Sequence, residues 1–314
     1  MACGGSSGKN KQAQTPAHKA CPSFQSDSAF RYIEEQCNFG PRLLGTPEAD
    51  KCAEWIKSQF ERMGCAVAEQ KAQVSTWDGT KMPCRNIIAS YNTSATSRIM
   101  LCAHWDTRPW ADNDPNPDNH KTPVLGANDG ASGVGVLLEV ARQLQAQPTA
   151  IGIDIIFFDA EDYGTPAWHR GTYKPHDWCL GSQYWGRTPH VQGYYARYGI
   201  LLDMVGGKGG TFYYEPYSYR TARKEVKKIW EKAHELGYGS YFVKQEGSEV
   251  TDDHVYVNQL ARIPCVDIIN YDPVYENSSF GPTWHTVNDN ISNIDRNTLK
   301  AVGQTVMDVI YNEK

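Results

Sequence analysis

The sequence contains no apolar run approaching the roughly 20 residues that a membrane-spanning helix requires. It has no Gly-x-Ser-x-Gly elbow, no P-loop and no dinucleotide-binding fingerprint, so serine acyl chemistry and phosphate cradling find no support. The glycines after Val205 (Gly206, Gly207, Gly209 and Gly210) read as a turn. Nine cysteines are scattered from Cys3 to Cys265 without one Cys-x-x-Cys pair, which argues against a cysteine-ligated structural zinc and leaves redox chemistry without a motif. Cys102 and Cys265 lie inside apolar runs and read as small core residues. Basic residues are not concentrated either. The formal charge of −5 comes from 31 basic and 36 acidic side chains, and no nucleic-acid partner is expected. The densest basic cluster, residues 220–232, carries Val226, Ile229 and Trp230 at helical spacing and reads as an amphipathic helix with a solvated face.

Residues 1–22 are rich in Gly, Ser, Lys, Gln and Ala and read as a disordered tether ahead of a single catalytic domain over 23–314. The opening Met1-Ala-Cys3-Gly-Gly-Ser-Ser resembles the start of a mature bacterial lipoprotein, with Met1-Ala2 in place of a removed signal peptide. On that reading the protein is periplasmic or membrane-anchored, through a lipid on Cys3 alone. An incidental cysteine in a flexible tail is the alternative.

Apolar residues recur at helical spacing over Pro47–Met63, Asp129–Gln147, Arg220–Leu236 and Asp295–Tyr311, with a further short helix over Thr251–Leu260. Short apolar runs predict strands at Asn86–Tyr91, Ile99–His104, Ile151–Phe158, Tyr194–Val205, Thr211–Tyr214 and Pro264–Ile269. The alternation points to an α/β domain with a mostly parallel central twisted sheet flanked by helices. Two long segments, 106–124 and 163–198, resist the pattern. Their aromatic and Pro/Asp content suggests ordered walls around a pocket.

Three of these runs end in metal-capable side chains: His104 and Asp106, then Asp159, Glu161 and Asp162, then Asp203. An open sheet places ligands beyond the carboxyl ends of its strands, so one cleft would gather them. Zinc takes imidazole and carboxylate and keeps one position open when catalytic. Asp129 alone could be a helix cap and His285 a surface loop residue. Glu161-Asp162 could be a solvated pair, but adjacent acids at the tip of a buried strand repel and call for a cation. Asp203 and Asp267 are costly to bury unpaired, and Asp252 sharing a proton with Asp267 would relieve one of them.

The ordered set His104-x-Asp106, Asn128-Asp129, Glu161-Asp162, Asp203 and His285 resembles the zinc aminopeptidases of phosphorylase/hydrolase-like α/β fold. Within them, the segments Ala103–Arg108, Gly126–Val134, Phe157–Asp162, Leu201–Gly206, Asp252–His254 and Trp284–Thr286 are similar to the bacterial glutaminyl cyclases, over roughly residues 30–312. The resemblance implies one zinc held by Asp129, Asp162 and His285. It makes Glu161 the general acid/base and has Asp203 and Asp252 hold the substrate amine. Trp284, Trp168, His104 and Asp267 are then expected at the substrate. Asp267 stands where animal members carry a histidine, so proton sharing in the Asp203, Asp252 and Asp267 relay departs from theirs. The implied partners are peptides with an N-terminal glutamine, met by a monomer. Two alternatives remain: a two-zinc aminopeptidase using His104, Asp129, Asp162, Asp203 and His285, and an inert peptide-binding domain.

Overall fold

A computed structural model describes Met1 and residues 21–172 and 174–313; Cys3 and most of the expected tether lie outside the described residues. The strands are β1 (Ala66–Ser75), β2 (Lys81–Tyr91), β3 (Arg98–His104), β4 (Gly152–Phe158), β5 (Gly199–Asp203), β6 (Phe212–Tyr214), β7 (Phe242–Glu246) and β8 (Cys265–Ile269). The helices are α1 (Ser26–Asn38), α2 (Pro47–Arg62), α3 (Ala131–Ala146), α4 (Leu180–Arg187), α5 (Pro216–Thr221), α6 (Arg223–Glu235), α7 (Asp253–Tyr256) and α8 (Arg296–Tyr311). None of the described helices is long and apolar enough to cross a membrane.

Six strands form one sheet in the order β1-β2-β4-β3-β5-β8. The four strands from β4 to β8 run parallel, and the β1–β2 hairpin is added antiparallel at one edge. Alternate side chains serve two cores, as a sheet covered on both faces requires. Ile99, Leu101 and Ala103 of β3 join Ile153, Ile155 and Phe157 of β4 in the larger core, with α1, α2, α3, α6 and α8. Met100, Cys102, Ile156 and Phe158 face the other way, against Trp185 of α4, Val257 and Cys265. Cys102 and Cys265 are thus buried core residues.

The connections decide where chemistry can sit. From β3 the chain crosses through α3 to β4, then returns through α4 to β5 on the other side of β3. Strand order therefore reverses between β3 and β5, and the crevice at their carboxyl ends is the natural ligand site of such a sheet. His104 ends β3, Asp203 ends β5, and the Asp159–Asp162 turn follows β4.

The elements depart from the sequence expectation in particular places. The strand expected over Tyr194–Val205 is confined to Gly199–Asp203, and the Tyr194 N–H closes a turn onto the Val191 carbonyl (3.1 Å) instead of joining the ladder. The helix expected over Arg220–Leu236 is two helices, broken at Ala222 by a non-helical backbone (φ −133°, ψ 38°). The Thr251–Leu260 helix is α7 running into a π-helical turn at Val257–Ala261. Helix α3 starts after Gly130, whose φ of +97° and 2.6 Å clearance between a notional Cβ and the Asp106 carbonyl oxygen admit only glycine. Asp129 does not cap that helix, so its carboxylate is free for other work.

Candidate active site

Among the described residues, several groups of ligand-type atoms lie mutually within 4.8 Å at the switch point, among them Asp129, Asp162 and His285, and His104, Asp129 and Asp203. Asp129 belongs to both. His285 Nε2 stands 3.0 Å from Asp162 Oδ1 and 3.6 Å from Asp129 Oδ2. His104 Nε2 stands 3.0 Å from the other Asp129 oxygen and 3.1 Å from Asp203 Oδ1. All five side chains are buried. Asp162 Oδ2 is buried without a partner. Burial, then the charge of Asp162, raises Asp129 to about 7. His285 and Arg108 hold Asp162 below its ordinary value against burial, but the three carboxylates outnumber the two imidazoles, and a divalent cation is the group this donor set suits.

The backbone around these ligands is over-determined. Asp106 accepts the N–H groups of Glu161 and Asp162, both at 3.1 Å, and so clamps the acidic turn whose Ala160 adopts a left-handed conformation (φ 57°). Asp289 accepts the N–H groups of Asn128 and Asp129 at 2.7 and 3.0 Å. Arg42, fully buried, donates to the carbonyls of Leu125 and Gly126 just before them. Met204 and His285 also have positive φ (49° and 54°), the kind of strain that clusters at functional sites.

Glu161 lies beside Asp162 but turns to other partners. The Cys179 thiol donates to its Oε1 at 3.1 Å. Burial first, and the Asp162 charge second, push the Glu161 carboxyl well above its ordinary value. Above it opens a cavity of about 570 Å³, lined by Asp129, Glu161, Asp162, Asp203 and Asp252 on its floor and by Trp178, Tyr256, Phe280 and Trp284 among its walls. Trp284 stacks on His285 at 3.8 Å between ring centroids.

Of the residues expected from sequence, Asp129, Glu161, Asp162, Asp203, Asp252, Trp284 and His285 all face this cavity. Three expected at the substrate do not line it. His104 is enclosed between Asp129, Asp203 and Asp106, and those carboxylates lift it well above its ordinary value against the opposing effect of burial. Asp267 is fully buried; His254, between it (3.4 Å) and Glu215 (3.0 Å), is the neighbour the sequence did not reveal. Trp168 is 37% exposed and packs on Trp110, whereas Trp178 lines the cavity. Asp112, Arg108, Cys179 and Asp289 were also missed as site residues. Each acts through a neighbour, and only Arg108, inside the Ala103–Arg108 segment, had a signal nearby.

The match to the model of peptidase family M28 extends over residues 86–310, and the chain belongs to that family. A solved structure of Bacteroides thetaiotaomicron glutaminyl cyclase bound to N-acetylhistamine is 54% identical, covering 94% of this chain and 100% of that one, with a TM-score of 0.92. A Zn-dependent exopeptidase from Parabacteroides distasonis is 51% identical, with the same coverage of both chains and the same TM-score. Among curated relatives, the glutaminyl-peptide cyclotransferase of Gloydius blomhoffii is 28% identical over 82% of this chain and 73% of its own length. Within M28, the place of this chain is among the bacterial glutaminyl cyclases.

Proposed function

We infer that the chain is a zinc-dependent glutaminyl-peptide cyclotransferase, which closes the N-terminal glutamine of a peptide to pyroglutamate and releases ammonia. The observation that carries this reading is a protonatable carboxyl, Glu161, on the floor of an aromatic-walled cavity beside the Asp129, Asp162 and His285 cluster. Asp129, Asp162 and His285 would hold one zinc, which when bound supplies Lewis acidity at the substrate's γ-carbonyl. Asp203 and Asp252, both on the cavity floor, hold the α-amine. Glu161 takes a proton from that amine as its nitrogen bonds to the carbon of the side-chain carboxamide (Cδ), then hands the proton to the carboxamide nitrogen as its bond to that carbon breaks and ammonia departs. Nucleophile and electrophile belong to one residue, so the walls at Trp178 and Trp284 serve chiefly to fold it and to exclude water that would yield glutamate. Incubation with a Gln-initiated peptide tests this. Loss of one ammonia from the peptide mass is expected, and loss of a whole residue would overturn it.

That second outcome belongs to a two-zinc aminopeptidase, which the His104, Asp129 and Asp203 group favours by offering a second set of ligands sharing Asp129. Metal content separates the two, with about one zinc per chain expected for the cyclase. We propose a periplasmic or membrane-anchored bacterial lipoprotein, on the strength of Cys3 in its Gly/Ser-rich setting. Mass spectrometry of Cys3 from native membranes would show the lipid.

A further inference from the structure

We propose that Arg108 and Asp112 form a positioning pair that presents the His285 imidazole to the metal and ties the metal site to the wall of the substrate cavity; this rests on the ligand assignment above. Arg108 is 1% exposed, and a guanidinium so deeply buried needs every donor matched. It grips Asp112 in two bonds, Nη2 to Oδ2 at 2.6 Å and Nε to Oδ1 at 3.2 Å. Nη1 donates to the carbonyls of Asp162 (2.9 Å) and Gly164 (3.0 Å), and Nη2 reaches that of Thr165 (3.4 Å). The indoles of Trp178 and Trp110 lie against its faces at 4.5 and 5.0 Å.

Asp112 passes this anchorage on. Its Oδ1 stands 3.4 Å from His285 Nδ1, while its Oδ2 also accepts the Ala167 N–H at 2.8 Å. A carboxylate at Nδ1 selects the tautomer with its proton there and leaves the Nε2 lone pair free, and Nε2 is the nitrogen that faces Asp162 and Asp129. The positive φ of His285 gives the ring no regular backbone frame, so Asp112 and the Trp284 stack fix it. One cation thereby holds the backbone of one expected ligand, the ring of a second through Asp112, and the Trp178 wall. Neither Arg108 nor Asp112 lines the cavity, so both act through other residues.

The test compares Asp112→Asn with His285→Ala in full-length protein, stripped of metal and titrated with zinc against a chromophoric chelator, with cobalt spectra in parallel. Asp112→Asn is expected to weaken zinc binding about 10- to 100-fold and to alter the cobalt spectrum in protein that is still folded, although loss of the charge facing buried Arg108 lowers the melting temperature of the metal-free form. Zinc affinity unchanged in Asp112→Asn but lost in His285→Ala would overturn the pairing alone. Zinc retained by His285→Ala would overturn the ligand assignment and the pairing with it. If Asp112→Asn does not fold, wild-type protein carrying isotope-labelled histidine and a spin-active cadmium isotope gives the answer. Cadmium coupling to His285 Nε2 with a protonated Nδ1 supports the pair, and coupling through Nδ1 removes it.

Discussion

Asp154, near the start of β4, and the Glu161-Asp162 pair just beyond its end are buried to similar depth, yet the molecule treats them differently. Around Asp154 the protein supplies its own compensation. Arg98 donates at 2.6 and 2.8 Å, the Ser90 hydroxyl at 2.6 Å and the Tyr194 hydroxyl at 2.9 Å. Against the opposing effect of burial, these donors hold the carboxyl below its ordinary value. At the other end, Glu161 is pushed upward, and Asp162, held down against burial by His285 and Arg108, still keeps one oxygen without a partner. Charge left unmatched inside a protein is expensive, so its persistence marks where a cation and a substrate are to supply what the chain does not. One end of the strand holds the fold, and the other end is built to react.

The largest expected effect comes from neutralising the reactive end. Glu161→Gln should lower kcat by roughly 10²- to 10⁴-fold with zinc content unchanged, since only the proton carrier is removed. Steady-state kinetics on a Gln-initiated peptide beside metal analysis checks this, and near-normal turnover would end the acid/base role. At the structural end the same logic runs in reverse. Asp154→Ala leaves Arg98 without its partner and should cost about 3–5 kcal/mol in urea unfolding, while kcat measured on the folded protein stays at the wild-type level. If both changes moved both readouts equally, the division between the two ends would be false.

Metal removal should act at one end only. Stripping zinc should abolish turnover and lower stability by about 3 kcal/mol relative to protein held at a hundredfold excess of zinc over its Kd. Calorimetry with and without chelator measures this, and an unchanged melting temperature would contradict a buried metal. Acid should act at the other end. Asp154 is held below its ordinary value, so its stabilisation is complete above about pH 4 and fades as pH falls through the lowered value. The Asp154→Ala protein should accordingly lose less stability than wild type between neutral and strongly acidic pH.

The reactive end was largely legible in the sequence because its residues terminate apolar runs: His104 at the end of β3, Glu161-Asp162 just after β4 and Asp203 at the end of β5. A strand buried on both faces is nearly uniform in hydrophobicity, so a charge at its tip stands out. The structural end was not legible. Asp154 interrupts the same kind of run without any local sign of Arg98 or Tyr194, which reach it from other elements. Strand β1 was missed because, at the sheet edge and mostly exposed, Ala66–Ser75 mixes Glu, Gln and Lys with small residues. Helix α4 was hidden because Gly181 and Gly186 weaken its pattern, although Gly181 is required where a notional Cβ would stand 2.1 Å from the Asp159 carbonyl oxygen. Helix α1 packs on α3 through Ala29 and Ile33, an apolar face too sparse to stand out after the tether.

The smallest expected effect concerns one of the three residues expected at the substrate that do not line the cavity. Trp168, half exposed against Trp110, should tolerate Trp168→Ala with a stability change within about 0.5 kcal/mol and little change in KM, as for other surface positions. Trp178→Ala should do more, because that indole both walls the cavity and covers the Arg108 guanidinium at 4.5 Å. Removing it exposes a buried cation and loosens the wall together, so KM should rise and stability fall by about 1–3 kcal/mol. Parallel kinetics and urea unfolding of the two variants decide which indole belongs to the reactive end. Equal effects from both would place Trp168 at the reactive end beside Trp178.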